Sequence, residues 1–118
     1  MNWKEFTSEE GLEEIKQRST EKPQVIFKHS TKCSISSMAK SRLERATAPE
    51  GIEFNYLDLI AHRNISSKIA EVFDVEHASP QVLVIGNGKC VYDESHSAIS
   101  MDEIVEAVAQ NFTKSSRK

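Results

Sequence analysis

The chain has 118 residues, with 15 Lys and Arg against 18 Asp and Glu and two cysteines. A net charge of −3 gives no basic surface for nucleic acid or an anionic membrane, and two cysteines exclude a disulfide framework and a Cys-only zinc site. No run approaches the roughly 18 apolar residues that cross a bilayer, and the N-terminus lacks the apolar core of a signal peptide. We expect one soluble, cytoplasmic, monomeric domain at 1–112 and a disordered polar tail at 113–118.

The predicted elements begin and end with capped helices. A Thr-x-x-Glu pattern at Thr7 and Glu10 begins the first helix, and Ser100 with Glu103 begins the last one. Between them, apolar spacing predicts a strand at Gln24–Lys28, a helix at Ser34–Ala46, a strand at Ile52–Leu59, a helix at Asn64–Phe73, and strands at Gln81–Ile85 and Lys89–Tyr92.

The order of these elements, αβαβαββα, predicts the fold. Strands separated by helices usually pair in parallel, so the first three strands are expected to be parallel. The Asn87-Gly88 pair between the last two strands predicts an antiparallel hairpin, because both residues accept positive φ. We therefore expect an α/β protein with a four-stranded mixed sheet flanked by helices, the thioredoxin-like arrangement. Its chemistry is expected where the first strand leads into the next helix.

Cys33 lies at that position. Unpaired N–H groups and the dipole at the beginning of a helix stabilise an anion, and Lys32 adds positive charge. The polar neighbours Ser34 and Ser36 argue against a buried structural cysteine, so Cys33 is predicted to be a thiolate nucleophile. Ser36 stands where a dithiol enzyme has its resolving cysteine, so release needs an outside thiol. Ser36 either donates a hydrogen bond to the thiolate or is simply a first-turn residue.

Other positions allow two interpretations each. Pro80 begins the third strand, and we favour a cis Ser79-Pro80 bond, which brings residue 79 beside Cys33, over a trans bond. His29 is either a proton carrier at the site or a surface residue. Cys90 is expected to pack in a strand rather than to resolve Cys33. The remaining histidines show no zinc-site spacing.

The segment Phe27–Ala39, FKHSTKCSISSMA, together with Ser79-Pro80-Gln81, resembles the monothiol bacilliredoxin family, the YtxJ-like proteins of bacteria that use bacillithiol. The resemblance covers nearly the whole chain. It implies a thiol–disulfide oxidoreductase of redox homeostasis that removes bacillithiol from mixed disulfides on other proteins. Bacillithiol is then the co-substrate, and no cofactor is bound.

By the same resemblance Cys33 is the attacking thiol, and the Ser79-Pro80 loop faces it. The residues expected to support the thiol are His29, Thr31, Lys32, Ser34 and Ser36. Ser34 departs from the family, which more usually has proline there. A proline would fix φ and remove one N–H near the thiolate, so its absence bears on redox poise but leaves the nucleophile in place.

Two functions of other classes stay open. A monothiol iron–sulfur carrier of this fold generally has glycine after the cysteine, whereas this chain has Ser34. A non-catalytic thioredoxin-like adaptor would keep the fold for partner binding, with the polar segment Glu71–His77 as its surface. Neither nucleic acid nor a membrane is an expected partner.

Overall fold

The computed structural model describes residues 3–116, with side chains described through residue 111. The predicted α/β class is confirmed. The elements are β1 Trp3–Glu5, α1 Glu9–Arg18, β2 Gln24–His29, α2 Ser34–Arg45, β3 Glu53–Asp58, α3 Arg63–Phe73, β4 Gln81–Gly86, β5 Lys89–Ser95, a short 3₁₀ helix His96–Ala98, and α4 Met101–Ser116.

The strands form one sheet in the order β1-β3-β2-β4-β5. β2 pairs in parallel with β3, as expected, but β4 runs antiparallel to β2. The expectation of three parallel strands was therefore wrong for β4. The connection through α3 returns the chain to the end of the sheet that it left, and the length of a helix does not reveal that direction.

The sheet has five strands rather than the four expected, which corrects the predicted order. β1 is only three residues long and pairs in parallel with β3, from Trp3 opposite Phe54 to Glu5 opposite Tyr56. A strand this short has too few residues to show an alternating pattern, so only its pairing with β3 identifies it.

Two apolar layers cover the sheet, one on each face. One layer packs α1 and α3 on the sheet through Leu12, Ile15, Ile26, Leu57, Ile65, Ile69, Phe73, Leu83 and Ile85, together with Phe6. The other packs α2 and α4 through Val25, Phe27, Ala39, Leu43, Phe54, Val82, Val84 and Ile104, together with Ile99 and Met101. Alternate residues of β2 enter opposite layers, so this strand is buried throughout.

Helix capping follows the sequence prediction with one shift. Ser8, not Thr7, is the N-cap of α1, and its hydroxyl oxygen accepts the Gly11 N–H at 3.0 Å. At the beginning of α4, the Glu103 N–H donates to the Ser100 hydroxyl oxygen at 3.3 Å, as expected of a cap. Thr and Ser are both favoured N-caps, so the TSEE sequence did not distinguish the two positions.

The predicted hairpin is confirmed. Asn87 and Gly88 have φ values of 52° and 77° and join β4 to β5.

The last helix, α4, continues to Ser116, past residue 112 where the sequence suggested the domain would end. Residues 117 and 118 of the predicted tail lie outside the described residues. Across the part of the chain that the structure describes, no helix has the length and apolar character to cross a membrane.

Candidate active site around Cys33

Cys33 is the N-cap residue of α2, which confirms its predicted position at the beginning of a helix. Its carbonyl accepts the Ser37 N–H at 3.0 Å, and its own N–H donates to the Ser30 carbonyl at 3.2 Å. The thiol is half-buried, is not in a disulfide, and makes no capping hydrogen bond. The backbone around Cys33 is therefore held by hydrogen bonds on both sides, while its sulfur caps none of the described N–H groups of α2.

The residues that flank Cys33 in the sequence are exposed, and none of them is acidic. Thr31, Lys32 and Ser34 are exposed, and the first turn of α2 carries no acidic residue. The ammonium of Lys32 and the helix dipole both favour an anion at this end of α2, and no first-turn carboxylate opposes them. Farther along α2 the surface is apolar, since Ile35 is 49% exposed and Met38 is 63% exposed.

Ser36 is fully buried one turn after Cys33 and contacts the end of β2. Its hydroxyl oxygen accepts the Ser30 N–H at 2.9 Å and lies 2.6 Å from Nδ1 of His29. His29 is only 5% exposed, so it is a buried residue rather than a surface one. Neither interpretation of Ser36 from the sequence included this contact, because it joins two elements whose packing the sequence does not show.

The proton between His29 and Ser36 has two possible positions. If Ser36 donates to Nδ1, its only hydrogen is used; if Nδ1–H donates to Ser36, the hydroxyl hydrogen remains free for another acceptor. Burial, and after it the charge of Lys40, lowers the pKa of His29, so the ring is neutral at pH 7. A neutral ring permits both arrangements, because one of its nitrogens donates and the other accepts.

The Ser79-Pro80 peptide bond is cis, as predicted. Lys28 of β2 pairs with Gln81, the first residue of β4. Pro80 therefore directly precedes this pair of strands, at the end of the sheet where β2 leads into the loop that carries Cys33. Pro80 is buried, and its carbonyl accepts the His96 N–H at 3.0 Å. The segment preceding β4 is thus anchored at the same end of the sheet as the cysteine loop.

Cys90 lies in β5 and packs against the layer that holds α1 and α3. Its sulfur donates a hydrogen bond to the Tyr92 carbonyl at 3.3 Å. Burial raises the pKa of the Cys90 thiol to about 11, so it stays protonated at neutral pH. This environment fits the packing role expected for Cys90. Elsewhere in the described residues, no three His, Cys, Asp or Glu side chains come close enough together to hold a metal ion.

The sequence profile of the family described as "Monothiol bacilliredoxin BrxC" matches residues 4–104, which include the whole Cys33 site. The chain belongs to the monothiol bacilliredoxin family. Its fold and family make it a thioredoxin-like protein with a redox function, and the single cysteine at the beginning of α2 is consistent with the word monothiol in that description.

Solved structures confirm the thioredoxin fold of this bacilliredoxin-family chain. A protein described as a candidate oxidoreductase with a thioredoxin fold is 26% identical, with a TM-score of 0.79 over 89% of this chain and 92% of its own. The thioredoxin of Malassezia sympodialis is 16% identical, with a TM-score of 0.72 over 92% of this chain and 90% of its own. The thioredoxin of Fasciola hepatica is 17% identical, with a TM-score of 0.72 over 91% and 97% of the two chains.

A polar contact that the sequence did not suggest lies behind the site of this bacilliredoxin. The Lys28 side chain is fully buried in β2, and its Nζ lies 3.0 Å from Nδ1 of His77, which precedes the Pro80 segment. Burial lowers the pKa of Lys28 to about 8, although the charge of Asp93 acts in the opposite direction. The sequence gives one signal of this contact. Lys28 directly follows the apolar run Val25–Phe27 within the same predicted strand.

Proposed function

We propose that this chain is a monothiol bacilliredoxin that removes bacillithiol from protein mixed disulfides through Cys33. The observation that carries the proposal is a cysteine at the N-cap of α2 with buried Ser36, rather than a second cysteine, one turn later. Membership of the family supports bacillithiol as the small thiol. Two free thiols are consistent with a reducing, cytoplasmic location.

The first step transfers bacillithiol to Cys33. The Cys33 thiolate attacks the bacillithiol sulfur of the mixed disulfide, a new sulfur–sulfur bond forms, and the bond to the substrate protein breaks. The electron pair of the broken bond leaves with the substrate cysteine as a thiolate. The substrate cysteine is thereby reduced, and Cys33 carries bacillithiol in a mixed disulfide.

The second step releases Cys33. A second bacillithiol thiolate attacks the bacillithiol sulfur on Cys33, so that bacillithiol disulfide forms and the Cys33 thiolate leaves with the electron pair. The net exchange reduces one protein cysteine and oxidises one free bacillithiol thiol, which joins the bacillithiol taken from the substrate in bacillithiol disulfide. Ser36 has no thiol with which to complete this step internally, which is why the outside thiol is required.

The surface around Cys33 suits a protein substrate. Ile35 and Met38 lie on α2 within five residues of Cys33 and are 49% and 63% exposed, so apolar surface adjoins the thiol. Exposed apolar side chains beside a reactive group are typical of a surface that another protein covers. The buried His29 and Ser36 hold the first turn of α2 against β2 and so keep the sulfur in place while a substrate docks.

The test follows the mass of both chains during the reaction. The purified protein, a Cys33→Ala variant and a Cys90→Ala variant are each incubated with one bacillithiolated protein, and intact masses are recorded over time. We expect bacillithiol to move onto the wild type and Cys90→Ala proteins and not onto Cys33→Ala. Undiminished loss of bacillithiol from the substrate in the Cys33→Ala reaction would refute the proposal, as would no transfer by the wild type.

The same experiment tests the two other functions. Visible absorbance from bound iron in a preparation that transfers nothing would favour the iron–sulfur carrier. Stable binding of a protein partner without any transfer would favour the adaptor, and substitutions within Glu71–His77 would then weaken that binding.

A further inference from the structure

A cavity of about 270 Å³ lies between α3 and the segment that precedes Pro80. Its lining residues are Leu59, Arg63, Ser66, Ser67 and His77. None of these side chains takes part in the exchange steps proposed for Cys33. The volume is close to the lower end of the range for small-molecule sites.

Two hydrogen bonds place this cavity beside the end of β2. The Leu59 N–H donates to the His29 carbonyl at 3.0 Å, and Lys28 Nζ lies 3.0 Å from Nδ1 of His77. Lys28 and His29 are the last two residues of β2, and the loop that carries Cys33 begins at the next residue. Two parts of the cavity wall are therefore bonded to the strand that positions the cysteine.

The cavity lining presents hydrogen-bond donors and no carboxylate. Arg63 is exposed, and its guanidinium has no hydrogen-bond or ion-pair partner among the described residues, whereas Arg18, Arg42 and Arg45 each have one. A guanidinium without a partner presents five N–H donors in a planar fork that fits a carboxylate. Ser67 is exposed and adds a hydroxyl.

His77 adds a further hydrogen-bond donor because its contact with Lys28 sets which ring nitrogen carries the proton. A protonated Lys28 has only donors, so Nδ1 of His77 accepts from it and the proton of a neutral imidazole lies on Nε2. Burial and the charge of Lys28 both lower the pKa of His77, which keeps the ring neutral at pH 7. The buried Lys28 ammonium also gives this wall of the cavity a positive potential.

We propose that this cavity binds the carboxylate-bearing headgroup of the small thiol that Cys33 exchanges, with Arg63 as the carboxylate ligand and His77 and Ser67 as hydroxyl or carboxylate partners. The inference rests on the proposed function. Bacillithiol carries malate carboxylates and sugar hydroxyls besides its thiol, which are the groups that such a donor-rich cavity recognises. Occupying the cavity holds the small thiol beside the end of β2 while its sulfur exchanges with Cys33.

The first test compares two disulfides that differ in charge. Reduced protein is mixed with bacillithiol disulfide or with uncharged hydroxyethyl disulfide, and the rate of mixed-disulfide formation on Cys33 is followed by mass. We expect Arg63→Gln to slow the reaction with bacillithiol disulfide about tenfold and to leave the reaction with hydroxyethyl disulfide unchanged. The matched control Arg45→Gln, an exposed arginine of α2 outside the cavity, should change neither rate.

The proposal is overturned if Arg63→Gln slows the reactions with both disulfides equally, or if it slows neither reaction. The proposal is also overturned if Arg63→Gln slows the reaction with a bacillithiolated protein and leaves the reaction with bacillithiol disulfide unchanged. The cavity would then contact the substrate protein instead of the small thiol.

A binding measurement separates this inference from the proposed function. S-methyl bacillithiol, which has no free thiol, is titrated into the wild type protein and amide NMR shifts are followed. We expect shifts at residues 59–67 and 77 that Arg63→Gln abolishes. Binding in the cavity without any transfer would refute the proposed function and leave the cavity assignment standing. Transfer without such shifts would refute the cavity assignment and leave the proposed function standing.

Discussion

Nδ1 of His29 lies 2.6 Å from the hydroxyl oxygen of Ser36, and both side chains are buried. The contact joins the last residue of β2 to the first turn of α2, so it closes the loop from Ser30 to Cys33 at its base. The Ser30 N–H donates to the same hydroxyl oxygen at 2.9 Å and adds a second connection. The position of Cys33 therefore depends on a polar contact beneath it as well as on the helix that it begins.

Loss of the Ser36 hydroxyl should destabilise the protein. In Ser36→Ala, Nδ1 of His29 and the Ser30 N–H are left without partners in a buried position, so we expect the free energy of unfolding to fall by about 2 kcal/mol. The exposed Ser37→Ala is the matched control and should change it by less than about 0.5 kcal/mol. Urea unfolding measures both, and equal losses in the two variants would contradict the role assigned to the contact.

A cysteine at position 36 should convert the protein to a dithiol form. In Ser36→Cys, the new thiol lies one helical turn after Cys33, where it can attack a mixed disulfide on Cys33 and expel bacillithiol. We expect the chain to lose the bacillithiol mass without added thiol and to become two hydrogens lighter than the reduced protein. Intact mass follows the reaction, and a mixed disulfide as long-lived as in the wild type would show that residues 33 and 36 do not meet.

The buried Lys28 predicts a stability that rises with pH. Its pKa is lowered to about 8 in the folded chain, so between pH 8 and the usual value of about 10.5 the unfolded chain binds more protons. The penalty for keeping this ammonium buried is fully present below pH 8 and is relieved as pH rises through that window. We expect the free energy of unfolding of the wild type, relative to Lys28→Met, to increase by about 2 kcal/mol from pH 7 to 9.5.

The comparison with Lys28→Met removes the contribution of groups that both proteins share, including the Cys90 thiol. Denaturant unfolding at several pH values supplies the difference. A difference that does not change with pH would show that Lys28 is not desolvated in the folded chain.

The Cys90 thiol should react slowly with alkylating agents. Burial raises its pKa from 9.0 to about 11, which lowers the thiolate fraction at pH 7.5 by about 100-fold. We therefore expect iodoacetamide to modify Cys90 about 100-fold more slowly in folded Cys33→Ala protein than in the same protein in urea. Peptide masses after timed quenching give both rates. Similar rates in the two conditions would mean that Cys90 is accessible and ionised.

Local features were predictable because they depend on a few neighbouring residues. Asn87 and Gly88 accept positive φ, and the Ser100 cap needs only the chain around it. The beginning of α2 at Cys33 followed from an apolar strand, a polar loop and helical spacing. The thioredoxin-like class followed from the order of these elements, and the family resemblance from the residues around Cys33 and Pro80.

The rest depended on which elements meet in space. The direction of β4 and the pairing of β1 with β3 are contacts between distant segments, and neither leaves a local pattern. The pairing of His29 with Ser36 and of Lys28 with His77 required the packing of β2 against α2 and against the segment before Pro80. The sequence by itself determined where a cysteine begins a helix. Only the tertiary structure decided which polar groups are buried around it, because burial and hydrogen bonding arise when the elements pack together.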